Sequence, residues 1–271
     1  MHLRLLAITS ILLLLTGCLP FFRSAPTPVR VQTFPIDAGP TQSVFQPAAD
    51  ARARCLMMIV PGFFSLPKDI GRHDFPQVVD ELGLSIDLVG VDLHIKYANR
   101  GTLWERLSTD VVEPARAAGY EEIWMGGMSF GGFATIAYAA RNAADLDGMV
   151  LLAPYVGGSR ALNEIRAAGP LENWTPNPPL KPGKDLRKMW RWYQDWAQQD
   201  PATRPLIFLG YGDDDDLAEA NQLFARNLDR EHVYVRTGGH DWPVWRDLFR
   251  DILQDEAFND CRPDSAASTA R

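Results

Sequence analysis

The chain has 271 residues and a formal net charge of −7, from 34 acidic against 27 basic side chains. That balance, with no basic stripe, argues against nucleic acid as a partner. There is no phosphate-binding loop and no metal-spaced Cys/His cluster, and His2, His73, His94, His232 and His240 are scattered, so neither cofactor nor metal is expected.

The chain opens on a processing signal. Arg4 supplies a short basic start, and Leu5 to Leu15 is an apolar run too short for a comfortable membrane span. Leu15-Thr16-Gly17-Cys18 follows. Small residues before a cysteine at the end of such a run resemble a bacterial lipobox, a signal cleaved before the cysteine, whose thiol then receives lipid. Residues 1–17 are thus expected to be a lipoprotein signal peptide and Cys18 the lipidated residue. A plain secretory signal or an uncleaved anchor is the alternative. Leu19 and Pro20 follow Cys18, with no aspartate resembling an inner-membrane retention signal. That favours the outer membrane, facing the periplasm. The lipid would hold the protein on the membrane surface without crossing it. Residues 18–51 read as a tether, because Pro26, Pro28, Pro35, Pro40 and Pro47 interrupt any helix. Within it, Val29 to Phe34 is a candidate edge strand.

Residues 52–262 read as one domain of ordinary globular composition. Leu56 to Val60 is a short apolar run ending at Pro61-Gly62, a buried strand followed by a turn. Phe75 to Leu82 is a helix, and Ile86 to Val91 a second strand. Leu103 to Ala118 has helical periodicity and stops at Gly119. Glu122 to Gly126 is a third strand, and Phe130 to Arg141 a helix of small apolar residues. Gly148 to Ala153 and Leu206 to Gly210 are the next strands. Leu217 to Leu228 is a helix, His232 to Arg236 the sixth strand, and Val244 to Phe258 the closing helix. Strands alternating with helices predict an α/β fold with a mostly parallel sheet covered on both faces.

Residues 155–204 break this rhythm. They separate two strands by far more than a usual crossover and hold Trp174, Trp190, Trp192, Tyr193 and Trp196. Long insertions are often lids or binding loops. The aromatics line an apolar substrate site, anchor a helical excursion onto the domain, or do both. Residues 263–271 read as a flexible tail.

The run Gly127-x-Ser129-x-Gly131 sits between a strand and a helix. That context makes it a candidate nucleophile elbow, where the serine takes an unusual backbone angle and its neighbours must lack side chains. Gly212-Asp213-Asp214-Asp215-Asp216-Leu217 follows the fifth strand, and Gly239-His240-Asp241-Trp242 the sixth. An acid and then a histidine after successive late strands complete the order serine, acid, histidine. On these three motifs and the strand spacing, residues 54 to 258 resemble the α/β-hydrolases. The stretches Arg106 to Arg116 and Gly239 to Trp245 carry a closer likeness to a group of bacterial hydrolases of unassigned substrate.

The resemblance implies a three-layer α/β-hydrolase fold with a helical, Trp-rich insertion, and a catalytic triad of Ser129, an aspartate and His240. Its pattern places the acid three residues after a glycine and two before an apolar residue. Gly212 and Leu217 select Asp215 on that rule, and Gly210 alone makes Asp213 the second choice. The remaining aspartates are solvated charge, and Asp216 or its neighbours could also favour the positive end of the next helix. Calcium would need spaced ligands and a glycine turn, which this run lacks. The oxyanion hole would use the backbone N–H groups of Phe130 and Phe63, although Pro61 stands where a histidine often precedes the glycine.

Five further residues have second readings. His94 and Tyr97 either touch substrate or pack. Asp241 is placed to cap the last helix, and Trp242 and Trp245 read as packing. With Cys18 set aside, only Cys55 and Cys261 remain. Cys55 starts the first core strand, and Cys261 lies just past a helix that should end at the same side of the sheet. An oxidising compartment would favour their disulfide.

The function expected is hydrolysis of an ester-type bond, carboxylester or thioester, through an acyl-enzyme on Ser129. The partner is a small acyl or lipid-like substrate, with the membrane reached through the lipid anchor. The alternative is a non-catalytic envelope-binding lipoprotein that keeps the fold. No oligomeric state is legible in the sequence.

Overall fold

The computed structural model describes residues 25, 28–34, 55–93, 95–181 and 186–262. The signal peptide, Cys18, most of the tether, His94 and the 263–271 tail lie outside the described residues. The strands are β1 (Val31–Phe34), β2 (Cys55–Val60), β3 (Ile86–Val91), β4 (Glu122–Met128), β5 (Gly148–Leu152), β6 (Leu206–Gly212) and β7 (Val233–Arg236). The helices are α1 (Pro67–Arg72), α2 (Phe75–Glu81), α3 (Ile95–Arg100), α4 (Leu103–Leu107), α5 (Glu113–Ala117), α6 (Phe130–Asn142), α7 (Ser159–Ala168), α8 (Arg187–Ala197), α9 (Ala218–Ala225) and α10 (Trp242–Ile252).

The sheet has seven strands in the order β1-β3-β2-β4-β5-β6-β7. β1 pairs antiparallel with β3, and every other pairing is parallel. The central strands are buried along their whole length, β2 and β5 without exception. Their continuous apolar runs therefore reflect helices covering both faces.

Chain direction explains the layers. The crossover from β2 to β3 runs one way along the sheet, and the crossovers from β4 onward run the other way. Right-handed crossovers then put α1 and α2 on one face and α6 to α9 on the opposite face. α10 returns to the first face, where Phe75 of α2 meets Phe249 at 4.9 Å and Trp242 at 5.8 Å between ring centres. The reversal makes the C-terminal edge between β2 and β4 the topological switch point, where open α/β sheets bind ligands.

Two elements depart from the sequence reading. The stretch 103–118 is not one regular helix, because a wide π-helical turn over Ser108–Val112 separates α4 from α5. Pro114 has no N–H to return to the turn before it, which accounts for the break. The turn carries Asp110, which accepts the Val29 N–H at 2.8 Å and pairs with Arg106 at 3.1 Å. The closing helix ends at Ile252, and the chain finishes in a tighter 3₁₀ segment, Glu256–Cys261. Phe258 of that segment packs on Trp124 at 4.5 Å.

The insertion is anchored rather than free. Trp190 and Tyr193 of α8 are fully buried. Tyr193 stacks on Phe224 of α9 at 3.9 Å and its hydroxyl donates to the Phe224 carbonyl at 2.8 Å. Trp190 Nε1 donates to the Val156 carbonyl at 2.7 Å, and Trp196 Nε1 to that of Pro205 at 3.0 Å. These contacts show the packing reading of Trp190, Tyr193 and Trp196.

Cys55 and Cys261 form a disulfide with their Cα atoms 5.5 Å apart, closing a loop of 206 residues. It ties the start of β2 to the end of the domain, beside the Ser85 N–H that donates to the Cys261 carbonyl at 2.6 Å. A bridge over so long a loop stabilises mainly by restricting the unfolded chain. The double substitution Cys55→Ala/Cys261→Ala is expected to lower unfolding free energy by about 2–5 kcal/mol. Urea denaturation of both forms checks this. A dithiol should shift the midpoint of the native chain and leave that of the double variant in place.

Candidate active site

Ser129 stands between β4 and α6 with φ 55° and ψ −120°. Such backbone is rare for a residue with a side chain and costs about 1–3 kcal/mol. Neighbouring bonds hold it there. The Ser129 N–H donates to the Leu152 carbonyl at 3.0 Å, and the Ser129 carbonyl accepts the Tyr155 N–H at 2.9 Å. Between those partners lies Ala153, a second positive-φ residue at 44°, which no sequence signal announced.

The flanking glycines are needed for contact. A Cβ on Gly127 would lie 2.4 Å from the Gly131 carbonyl oxygen. One on Gly131 would lie 2.0 Å from that of Val60. The second figure shows how tightly α6 rests on the end of β2. It also brings the loop after β2 against the elbow, with the Cα of Gly62 facing the Ser129 Cβ. Phe130 begins α6, so its N–H has no intrahelical partner and lies at the positive helix end.

The aspartate run sorts itself by partner. Asp215 Oδ2 lies 2.7 Å from His240 Nδ1, and its Oδ1 accepts the Leu217 N–H at 2.7 Å. Its side chain is 0% exposed, against 30% for the imidazole. Asp213 instead braces the histidine loop, accepting the Gly238 N–H at 3.1 Å and the Thr237 hydroxyl at 3.4 Å. Asp215 thus holds the N–H of Leu217, the residue just before α9, and Asp216 lines a cleft. Asp241 caps α10, accepting the Val244 N–H at 3.1 Å.

The cleft, of about 390 Å³, is lined by Phe63, Ser129, Phe130, Tyr155, Asp216, Leu217 and His240. These residues come from the loops that follow β2, β4, β5, β6 and β7. All are C-terminal strand ends, at and beyond the switch point. Phe63 meets Phe130 edge-to-face at 5.4 Å, and Phe130 meets Phe133 at 5.5 Å, giving one aromatic side. Ser129 and His240 share the cleft, but no hydrogen bond joins the hydroxyl to the ring in this structure. Such links are often long in unliganded sites and tighten with substrate.

Some expectations are displaced. Tyr97 is buried in the core and is not among the cleft residues. Trp242 stacks on His73 at 4.4 Å. Trp245 is packed, but against the site itself, with its ring 4.9 Å from His240 and edge-to-face. Tyr155, Asp216 and Leu217 carry no motif that marks them as cleft residues. Only the convergence of separate loops reveals them.

No protein-family model matches the chain. No curated protein matches it either. Solved structures do. A ferulic acid esterase superposes with a TM-score of 0.54 at 14% identity, covering 86% of this chain and 98% of that one. An S-formylglutathione hydrolase from Staphylococcus aureus gives 0.53 at 12% identity, with the same coverages of 86% and 98%. Est1E from Butyrivibrio proteoclasticus gives 0.51 at 14%, covering 83% and 92%. The chain has the α/β-hydrolase fold. At these identities the likeness speaks for the fold, and the chemistry has to be argued from the cleft.

If Asp215 holds the imidazole, its loss should disable the site while that of Asp213 should not. Asp215→Asn is expected to lower kcat for any accepted ester by about 10³–10⁴-fold, through the wrong ring tautomer. Asp213→Asn should cost far less. Steady-state kinetics on both variants, with melting curves to confirm folding, checks the contrast.

Proposed function

We propose that the protein is a serine hydrolase that cleaves a carboxylester or thioester through an acyl-enzyme on Ser129. The observation that carries this reading is the Asp215–His240 pair, 2.7 Å apart, opening on the same cleft as the strained elbow of Ser129. A serine hydroxyl is a weak nucleophile at neutral pH and needs a base close by. His240 Nε2 takes its proton as Oγ attacks the carbonyl carbon, while Asp215 keeps the proton on Nδ1 and stabilises the imidazolium. The oxyanion is met by backbone N–H groups of Phe130 and Phe63. His240 then returns its proton to the leaving group. Water, activated by the same ring, releases the acid.

Phe63, Phe130, Tyr155 and Leu217 make most of the cleft wall. Such a wall suits an apolar acyl or lipid-like group. The names of the similar structures, esterases and S-formylglutathione hydrolases, agree with ester and thioester chemistry. The second reading is a non-catalytic envelope-binding protein, favoured by the missing hydrogen bond between Ser129 and His240. Against it stand the buried Asp215 carboxylate and the strained elbow, neither of which binding alone requires.

We further propose that the protein works in the cell envelope, held by lipid on Cys18. The lipobox-like run at Cys18 supports this, as does the disulfide, since such bonds persist in oxidising compartments. Among the described residues no helix is long and apolar enough to cross a membrane.

A fluorophosphonate probe is expected to modify Ser129, as read by peptide mass spectrometry, with the adduct absent from Ser129→Ala and strongly reduced in His240→Ala. A folded native chain that stays unlabelled would move the weight to the binding reading. Cys18→Ala is expected to release the protein from the membrane fraction. Retention of that variant in the membrane, without acyl-chain incorporation in the native protein, would overturn the anchor.

A further inference from the structure

The cleft is charged on one side only. Of its lining residues, Asp216 alone carries a permanent charge at neutral pH, and no Arg or Lys lines it. The Asp216 carboxylate makes no hydrogen bond or ion pair among the described residues. Its neighbours add to its sign, because Asp213 and Asp214 are exposed on the same loop. The nearest cation on β7 is already engaged, since Arg236 holds Asp251 with Nε–Oδ2 at 2.5 Å.

We infer that Asp216 sets the charge specificity of the cleft, disfavouring substrates with an anionic group on the acyl chain and admitting neutral or cationic ones. The inference rests on the serine-hydrolase reading and narrows its substrate class. The physical argument is short. A carboxylate exposed at a cleft wall keeps most of its charge in contact with water, so its field is moderate. At separations of about 4–6 Å it still changes the affinity for a second charge by about 3- to 30-fold. A partly apolar wall opposite limits solvent screening on that side. An anion entering the cleft would lose water and gain no counter-charge, which adds to the penalty. An apolar acyl chain would lie against Phe63, Phe130 and Tyr155 and gain nothing from the carboxylate, whereas a charge at the end of that chain would feel it. A quaternary ammonium group would find both Asp216 and aromatic faces, a combination that favours cations.

The test uses three esters that share one leaving group: p-nitrophenyl hexanoate, the p-nitrophenyl monoester of adipic acid, and p-nitrophenyl δ-(trimethylammonio)pentanoate. Each rate is corrected for uncatalysed hydrolysis. The native chain should show kcat/KM for the anionic ester at least about 5-fold below the neutral one, and the cationic ester at or above it. Asp216→Asn should raise the anionic-to-neutral ratio by about 3- to 10-fold and lower the cationic-to-neutral ratio, each ratio being taken within one protein so that a common change in rate cancels. Raising ionic strength should shrink the native preference. Equal rates for anionic and neutral esters in the native chain, or ratios that Asp216→Asn leaves in place, would overturn the inference. Turnover of none of the three esters would count against the hydrolase reading instead. The corresponding non-cleavable ketones, titrated by calorimetry into native and Asp216→Asn protein, then read the same charge preference from binding alone.

Discussion

The backbone of Ser129, at φ 55° and ψ −120°, costs free energy that the surrounding fold must offset. Gly127 and Gly131, two residues away on either side, cannot do this, because they carry no side chain to pack. The compensation comes from other strands. The carbonyl of Leu152 at the end of β5 and the N–H of Tyr155 just beyond it hold the serine from one side. The end of β2 holds it from the other, in such close contact that the site of a Gly131 Cβ lies on the Val60 carbonyl. The elbow therefore exists only when β2, β4 and β5 are in register. Gly127 opposite Val60 and Met128 opposite Leu152 fix that register.

The rest of the cleft follows from the same edge. Where crossovers change direction between β2 and β4, the loops above the strands diverge and leave a crevice. Asp215 and His240 arrive from β6 and β7, two strands that reach the crevice through parallel pairing alone. The aspartate is held twice, by the Leu217 N–H and by the ring, so its carboxylate has one orientation. A buried carboxylate without such partners would be strongly disfavoured. Trp245 limits the ring from the side of α10, and Asp241 starts that helix at the right place. The disulfide acts at the far side of the domain, tying the chain end to the first central strand.

Much of this was legible in the chain itself. The six core strands stand out because each is a short apolar run bounded by Gly, Pro or charge. The motif order serine, acid, histidine survives any uncertainty about element ends, since it needs only sequence order. The Cys55–Cys261 pairing followed from which end of the sheet each cysteine must occupy. Less legible was the region from 103 to 118, where periodicity continues across Pro114 and hides the wide turn. The tryptophans of the insertion were ambiguous for a related reason. Composition says that an aromatic side chain will be buried, and it does not say against what. Trp190 and Tyr193 found α9 and the loop at Val156, leaving Tyr155 as the insertion's contribution to the cleft.

By itself the sequence determined the fold class, the strand and helix order, and the three motifs, because hydrophobic period and turn residues are local signals. It narrowed the acid to Asp215 or Asp213 and could go no further. Four adjacent carboxylates have the same chemistry, and their distinction is one of direction. Tertiary structure gives each its own surroundings, with Asp215 against His240, Asp213 against the backbone of Gly238, and Asp216 at the cleft. The same holds for Tyr155 and Leu217. Their place at the site depends on five loops meeting above one sheet edge, a relation between residues far apart in the chain that no local pattern records.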